Sequence, residues 1–135
     1  MDKRSAMDQC RDRILPRCVE LVTRLWSQPQ RVSAKVVDVA VGAATPYDGH
    51  LFGVECTFPR ASPDAPDNVA LVVTLGTHQG ILELSADVCW GGGQMELSLL
   101  PEHTSASQAA IAKVAAAWPQ LDDALMQAIR RGQPA

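Results

Sequence analysis

Two stretches of alternating apolar and polar residues, separated by a glycine-rich turn, constrain the fold most strongly. Over residues 81–90, apolar side chains alternate with polar or charged ones. The alternation resumes over residues 95–99, after the intervening residues 91–94. A period of two is typical of a strand with one buried face. The two stretches therefore predict an antiparallel hairpin closed by residues 91–94.

The pairing register of this hairpin follows from where charge is tolerated. With Trp90 opposite Met95, the apolar side chains of the two strands face one another and Glu96 lies outside, next to solvent. With Trp90 opposite Gln94 instead, Val88 would face Glu96 on the core side. We therefore predict the first register, which sends Glu96 to the solvent face.

Three further β-rich runs precede the hairpin. Residues 51–58 alternate clearly, residues 32–41 alternate weakly, and residues 69–75 are apolar on both faces. Residues 59–68 contain three prolines and are predicted to form a surface loop. The runs predict about five antiparallel strands that pair in chain order, as a meander.

Residues 5–27 and 105–131 carry apolar side chains at three- and four-residue steps, which is typical of amphipathic helices. Pro16 predicts a kink or two abutting helices in the first segment, and Pro119 a break in the second. Both apolar stripes need a surface to cover, and the apolar sheet face supplies one. The sequence thus predicts a single α+β domain over residues 1–135: N-terminal helix, five-stranded antiparallel meander and C-terminal helix, in a two-layer sandwich.

Charge is distributed unevenly along the 135 residues. Residues 1–31 hold seven Lys/Arg and four Asp/Glu, residues 32–103 hold two and nine, and residues 104–135 hold three and two. The net charge of −3 disfavours general nucleic-acid binding, which needs cations for the phosphates. No stretch approaches the roughly 18 apolar residues of a membrane span, so membrane insertion is not predicted.

Strand parity predicts an acidic sheet face opposite the helices. Glu55, Glu83, Asp87 and Glu96 point to this face, and Val72 leaves on the same side from the strand between them. An apolar patch bordered by carboxylates suits the docking of a basic protein. The alternative is an ordinary solvated sheet face, which antiparallel sheets commonly have. These five residues are the candidate partner-binding residues.

Known catalytic patterns are absent from the sequence: it has no phosphate-binding loop, G-x-S-x-G, H-E-x-x-H or EF-hand motif. In a flat meander His50, His78 and His103 fall at one end of the sheet. The ~4.8 Å spacing of strands then separates His50 from His103 by roughly 14 Å, too far for one metal with ~2 Å bonds. Only His78 could form a pair, with Asp48 or Glu102. We therefore predict no catalytic residues, metal or cofactor.

The four cysteines form no C-x-x-C pair, and the N-terminal residues show no apolar stretch of a secretory signal. Both features predict a cytoplasmic protein with reduced thiols. The expected role of Cys10, Cys18, Cys56 and Cys89 is that of small buried apolar side chains.

Charge segregation and the missing motifs predict a non-enzymatic, cytoplasmic protein-binding domain. The most specific form is a bacterial immunity protein that neutralises a basic toxin domain, such as a nuclease, because opposite charge steers association. One alternative is a secretion-type chaperone that binds an effector segment as a dimer. Another is a small enzyme or ligand-binding domain with a pocket near His78. The sequence leaves the oligomeric state and the identity of the partner open.

Overall fold

Five antiparallel strands pair in the order in which they follow one another along the chain, which confirms the predicted meander. The computed structural model describes residues 1–27, 32–42 and 48–133. Most of the turn predicted between the first two strands, residues 43–47, lies outside the described residues. The strands are β1 (Ser33–Val41), β2 (Asp48–Thr57), β3 (Asn68–His78), β4 (Ile81–Trp90) and β5 (Met95–Ser98).

The connection between β3 and β4 is shorter than residues 76–80, which separate the two predicted runs. Residues 76–78 still belong to β3, so only Gln79 and Gly80 form the turn. Both have positive φ, 51° and 78°, as a two-residue turn of type I′ requires. The hairpin is therefore longer than predicted, and it carries His78 opposite Ile81 at its tip.

Four helices flank the sheet in sequence: α1 (Lys3–Arg13), α2 (Leu15–Trp26), α3 (Gln108–Ala116) and α4 (Trp118–Gly132). Each break comes just before a proline, so that Pro16 and Pro119 lie in the first turn of α2 and α4. Proline is tolerated there because the first-turn N–H has no partner inside the helix. The prediction of two abutting helices at Pro16 and of a break at Pro119 is confirmed.

The helices cover one face of the sheet and bury its alternating apolar side chains. α2 packs over β1 and β2, α4 packs over β3 to β5, and α1 contacts both α2 and α3. The two-layer α+β sandwich is thereby confirmed. Among the described helices, none has the length and apolar character to cross a bilayer. The largest buried side chains include Phe52, Val54, Leu71, Leu75, Ile111, Leu121 and Leu125.

All four thiols are free, and three of them lie in the core. Burial raises the pKa of Cys10 to about 11 and the pKa of Cys18 and Cys56 to about 12. Cys89 lies on the solvent face of β4 and is only partly buried. The buried three therefore pack as apolar side chains, as the sequence predicts.

These differences in burial predict an order of thiol labelling. We expect iodoacetamide to modify Cys89 of the folded protein first, because the other three thiols are shielded from reagent and have high pKa values. Mass spectrometry during labelling should show one early adduct in the native protein and four adducts after unfolding. Cys89→Ser should remove the early adduct, whereas an early adduct on Cys10 would contradict the prediction.

Candidate functional site

The sheet face turned away from the helices, here called the outer face, has an apolar centre. One cross-strand row on it runs Val37, Gly53, Val72, Asp87, Ser98, and the neighbouring row runs Lys35, Glu55, Ala70, Cys89, Met95. Val39 and Met95, on the two edge strands β1 and β5, are 45% and 51% exposed on the same face. Apolar side chains therefore lie at the centre and at both edges of this face, with charged residues beside them.

Four of the five candidate residues lie on the outer face, where parity places them. Val72 is central, and Asp87 is its direct partner on β4. Glu83 lies on the same strand as Asp87, near the start of β4. Glu55 Oε2 lies 3.7 Å from Lys35 Nζ, so its charge is shared with a cation at the edge of the sheet.

Glu96 does not lie on the outer face, and its predicted position was wrong. A bulge in the pairing of β4 with β5 places Met95, not Glu96, opposite Cys89. Trp90 Nε1 donates a hydrogen bond to Glu96 Oε1 at 2.8 Å, and Arg131 of α4 pairs with Glu96 Oε2. Glu96 therefore links the sheet edge to the helical layer and leaves the candidate surface.

This placement of Glu96 predicts a pH effect on stability. Hydrogen bonds from Trp90 and Arg131 lower the pKa of Glu96 below its ordinary value of 4.5. A carboxyl whose pKa is lowered by folding stabilises the protein above its ordinary pKa, and this contribution is lost as the pH falls through the folded pKa. Between about pH 5 and pH 3 we expect the unfolding free energy to fall more steeply in the wild type than in Glu96→Gln.

Urea unfolding followed by circular dichroism at several pH values in this range measures the two slopes. Glu20→Gln, which neutralises an exposed carboxylate on α2, serves as the control and should keep the wild-type slope. Equal slopes for the wild type and Glu96→Gln would contradict the prediction.

A groove of about 290 Å³ lies on the outer face, between β4 and the segment that follows β5. Its volume is at the lower end of the roughly 300–1,000 Å³ typical of ligand pockets, which suits one long side chain better than a large ligand. Asp87 Oδ1 accepts a hydrogen bond from Ser98 Oγ at 2.7 Å. The carboxylates of Glu83, Asp87 and Glu102 line the groove together with the hydroxyls of Thr74, Ser85 and Ser98.

The segment after β5 continues along the edge of β4 and forms one wall of the groove. Leu99 N donates to Ala86 O, and Leu84 N donates to Thr104 O, both at 2.9 Å. Residues 100–103 between these two points leave the edge and line the groove. This continuation was not predicted, although β4 has ten residues and β5 only four, which leaves much of the β4 edge without a strand partner.

The continuation of the chain along β4 brings two histidines together at the hairpin tip. The rings of His78 and His103 stack with centroids 5.1 Å apart, and His103 Nδ1 lies 3.0 Å from Glu83 Oε2. The expected partner of His78 was Asp48 or Glu102; the structure places His103 there, and the side chain of Asp48 lies outside the described residues. The flat meander placed His78 and His103 at the same end of the sheet, as observed, but it did not bring their rings into contact because it did not extend the chain along β4 after β5.

His50 lies on the helix side of the sheet and has a separate set of contacts. It is buried, with Nε2 against Asp38 Oδ1, and its ring lies 4.6 Å from the ring of Phe52. Arg11 of α1 also approaches Asp38 Oδ1, at 3.7 Å. His50 therefore helps to join β1, β2 and α1 on the helix side of the sheet, and it is not part of the outer face.

The hollows beside His78 and His103 open on the outer face. An enclosed ligand pocket would instead lie between the helices and the sheet. The site is thus an open acidic groove with an adjoining pair of histidines. Comparison with the profiles of known protein families, with curated proteins and with solved structures gave no match for this chain.

Proposed function

We propose that this domain is a non-enzymatic cytoplasmic module that binds a basic protein through its outer face. The observation that carries the proposal is the acidic groove of Glu83, Asp87 and Glu102 beside the apolar centre at Ala70 and Val72 of β3. Protein interfaces commonly combine an apolar centre with a polar rim. This face has both parts, and it is the face that the helices leave to solvent.

The groove suits an arginine or lysine from the partner. Glu83 has only 16% of its side chain exposed, and its Oε2 already lies 3.0 Å from His103 Nδ1. A guanidinium inserted beside Glu83 and Asp87 would form charge-assisted hydrogen bonds, which are stronger than neutral ones. Arginine in such a recess is a frequent centre of binding energy in protein interfaces.

The overall charge pattern supports steering of a basic partner to this face. On its described strand positions, the outer face carries the carboxylates of Glu55, Glu83 and Asp87 and one cation, Lys35. Exposed cations such as Arg13 lie on the helical layer instead. An approaching basic protein is therefore attracted to one side of the domain and repelled from the other.

An immunity protein that neutralises a toxin domain is the most specific form of this proposal. A nuclease toxin needs a basic cleft to hold the phosphate backbone of its substrate. An acidic surface that fills such a cleft would block the substrate through the same cations. The groove and its apolar surroundings supply both the charge and the contact area for this role.

Charge reversal on the outer face tests the proposal. Glu83→Lys combined with Asp87→Lys should weaken partner binding by about 100-fold, because removing charges from the centre of an interface costs a few kcal/mol. The matched control, Glu20→Lys combined with Asp123→Lys, makes the same change in net charge at exposed positions of the helical layer. It should bind with nearly wild-type affinity.

The partner is first isolated from a lysate of the source cells on the immobilised domain, at low and at moderate salt, and identified by mass spectrometry. Surface plasmon resonance with the purified pair then gives the affinities of both double variants. A stoichiometric basic partner that is lost only with the outer-face variant supports the proposal. Equal binding of the two variants, or no stoichiometric partner at either salt concentration, contradicts it.

A dimeric chaperone is the alternative function. Analytical ultracentrifugation tests it by measuring the oligomeric state. A chaperone of this kind dimerises and holds an extended segment of another chain. A dimer that persists at low protein concentration and binds an unfolded effector segment would favour that reading. A monomer that binds a folded basic domain would favour the immunity protein.

A further inference from the structure

We propose that His78, Glu83 and His103 together bind a divalent transition-metal ion of the zinc class. This inference goes beyond the binding of a protein partner and does not depend on it. The three residues come from the end of β3, the start of β4 and the segment that continues along β4 after β5. Only the folded chain brings them together.

The separation of the ligand atoms suits a single ion. One ligand atom from each residue lies within 4.8 Å of the other two. His103 Nδ1 and Glu83 Oε2 are 3.0 Å apart, close to the roughly 3.3 Å expected for two ligands of a tetrahedral site with ~2.0 Å bonds. The His78 ring, which stacks on His103, must rotate to direct a nitrogen at the same ion.

The chemistry of the donors selects the class of ion. Two imidazoles with one carboxylate form a donor set that zinc prefers, and three protein ligands leave a fourth position for water. Calcium and magnesium take oxygen ligands, so two histidines disfavour them. His103 has 63% of its side chain exposed, and a hollow of about 280 Å³ lined by His78, Ile81, Glu83 and Ser105 adjoins it, so an ion can enter from solvent.

The backbone at His103 is held in a turn by its neighbours. Its φ is 60°, a left-handed conformation that residues other than glycine adopt infrequently. Thr104 holds the conformation from the next position, since its hydroxyl donates to Pro101 O at 2.6 Å and its carbonyl accepts from Leu84 N. The imidazole of His103 is therefore aimed at Glu83 and His78 by a constrained loop.

Metal titration of the free domain tests the inference. The protein is untagged and stripped with a chelator, and Co²⁺ is added as a spectroscopic probe, followed by Zn²⁺ in a calorimeter. We expect one ion per chain, a visible Co²⁺ spectrum typical of low coordination number, and displacement of Co²⁺ by Zn²⁺. Zn²⁺ should also raise the melting temperature, because an ion that binds only the folded state stabilises it.

Two single variants assign the ligands. His78→Ala and His103→Asn should each weaken Zn²⁺ binding by more than about 100-fold, beyond the effect of losing an outer-shell partner. Asparagine tolerates left-handed backbone, so His103→Asn removes the imidazole and keeps the loop conformation. His50→Gln is the matched control, since it removes a histidine outside the cluster and should keep one site of wild-type affinity.

Three outcomes would overturn the inference: no Co²⁺ spectrum and no Zn²⁺ heat with the wild type, equal binding by the wild type and His103→Asn, or loss of binding only with His50→Gln. The first outcome would mean that His103 and Glu83 form only a hydrogen-bonded pair and hold no ion. Glu83 and His103 also line the groove, whereas His78 does not. An ion bound to Glu83 would compete with a partner cation at the same carboxylate, so His78→Ala separates metal binding from partner binding.

Discussion

Gly53→Ala is expected to lower the free energy of unfolding by about 3 kcal/mol, the upper part of the range for overpacked interiors. A Cβ on Gly53 would lie 2.1 Å from Leu71 O and 3.2 Å from Val72 Cα. Both are backbone atoms of β3, so no side-chain rotation relieves the contact. β2 and β3 would have to separate locally and lose hydrogen bonds of the central ladder.

Urea unfolding at equilibrium measures this loss, with Gly91→Ala as the control. A Cβ on Gly91 would also meet a close neighbour, but that neighbour is the side chain of Asn68, which can rotate away. We expect the control to cost less than about 1 kcal/mol, in the range of tolerated surface changes. Equal effects of the two substitutions would show that the approach of β3 to Gly53 is not restrictive.

Phe52→Ala is expected to cost about 4 kcal/mol, within the range measured for buried aromatic side chains. Phe52 has no solvent exposure and lies in β2 beneath the helices. Its ring contacts the His50 ring and lies 5.9 Å from the guanidinium carbon of Arg11. The substitution would leave a cavity and remove the apolar wall beside the pair of His50 with Asp38.

Val19→Ala is the control for Phe52→Ala, because Val19 is 50% exposed on α2 and should change stability by less than about 0.5 kcal/mol. If Phe52→Ala does not fold, Phe52→Leu gives a smaller, measurable loss of about 1.5 kcal/mol. A loss below about 1 kcal/mol for Phe52→Ala would contradict the central role of this ring in the core.

The features that were predicted correctly depend on local sequence. The alternation of residues 51–58 and 81–90 fixed which side chains are buried, and short loops fixed the order of the strands. Pro16 and Pro119 located both helix breaks, since proline acts on its own turn of helix. None of these three predictions needed knowledge of distant parts of the chain.

The two errors at the site came from departures from regular geometry. The β-bulge between β4 and β5 turned Glu96 to the helix side, and nothing in the alternation of residues 95–99 marks an extra residue. The continuation of the chain along the edge of β4 after β5 brought His103 to His78, and it depends on hydrogen bonds to the first residues of β4. A single sequence specifies parity well, but it specifies local irregularities poorly.

The arrangement of helices on the sheet also has a consequence for folding kinetics. Each strand of the meander pairs with its neighbour in the chain, and α2 covers β1 and β2 next to it, whereas α4 reaches back over β3 to β5. Contacts between distant segments slow folding, because loop closure costs entropy before the contact forms. The contact between α1 and α3 and the pair of Arg24 in α2 with Asp122 in α4 each close a loop of about a hundred residues and carry the largest loop entropy. Folding is therefore expected to form the meander with α2 first and to dock the C-terminal helices α3 and α4 last.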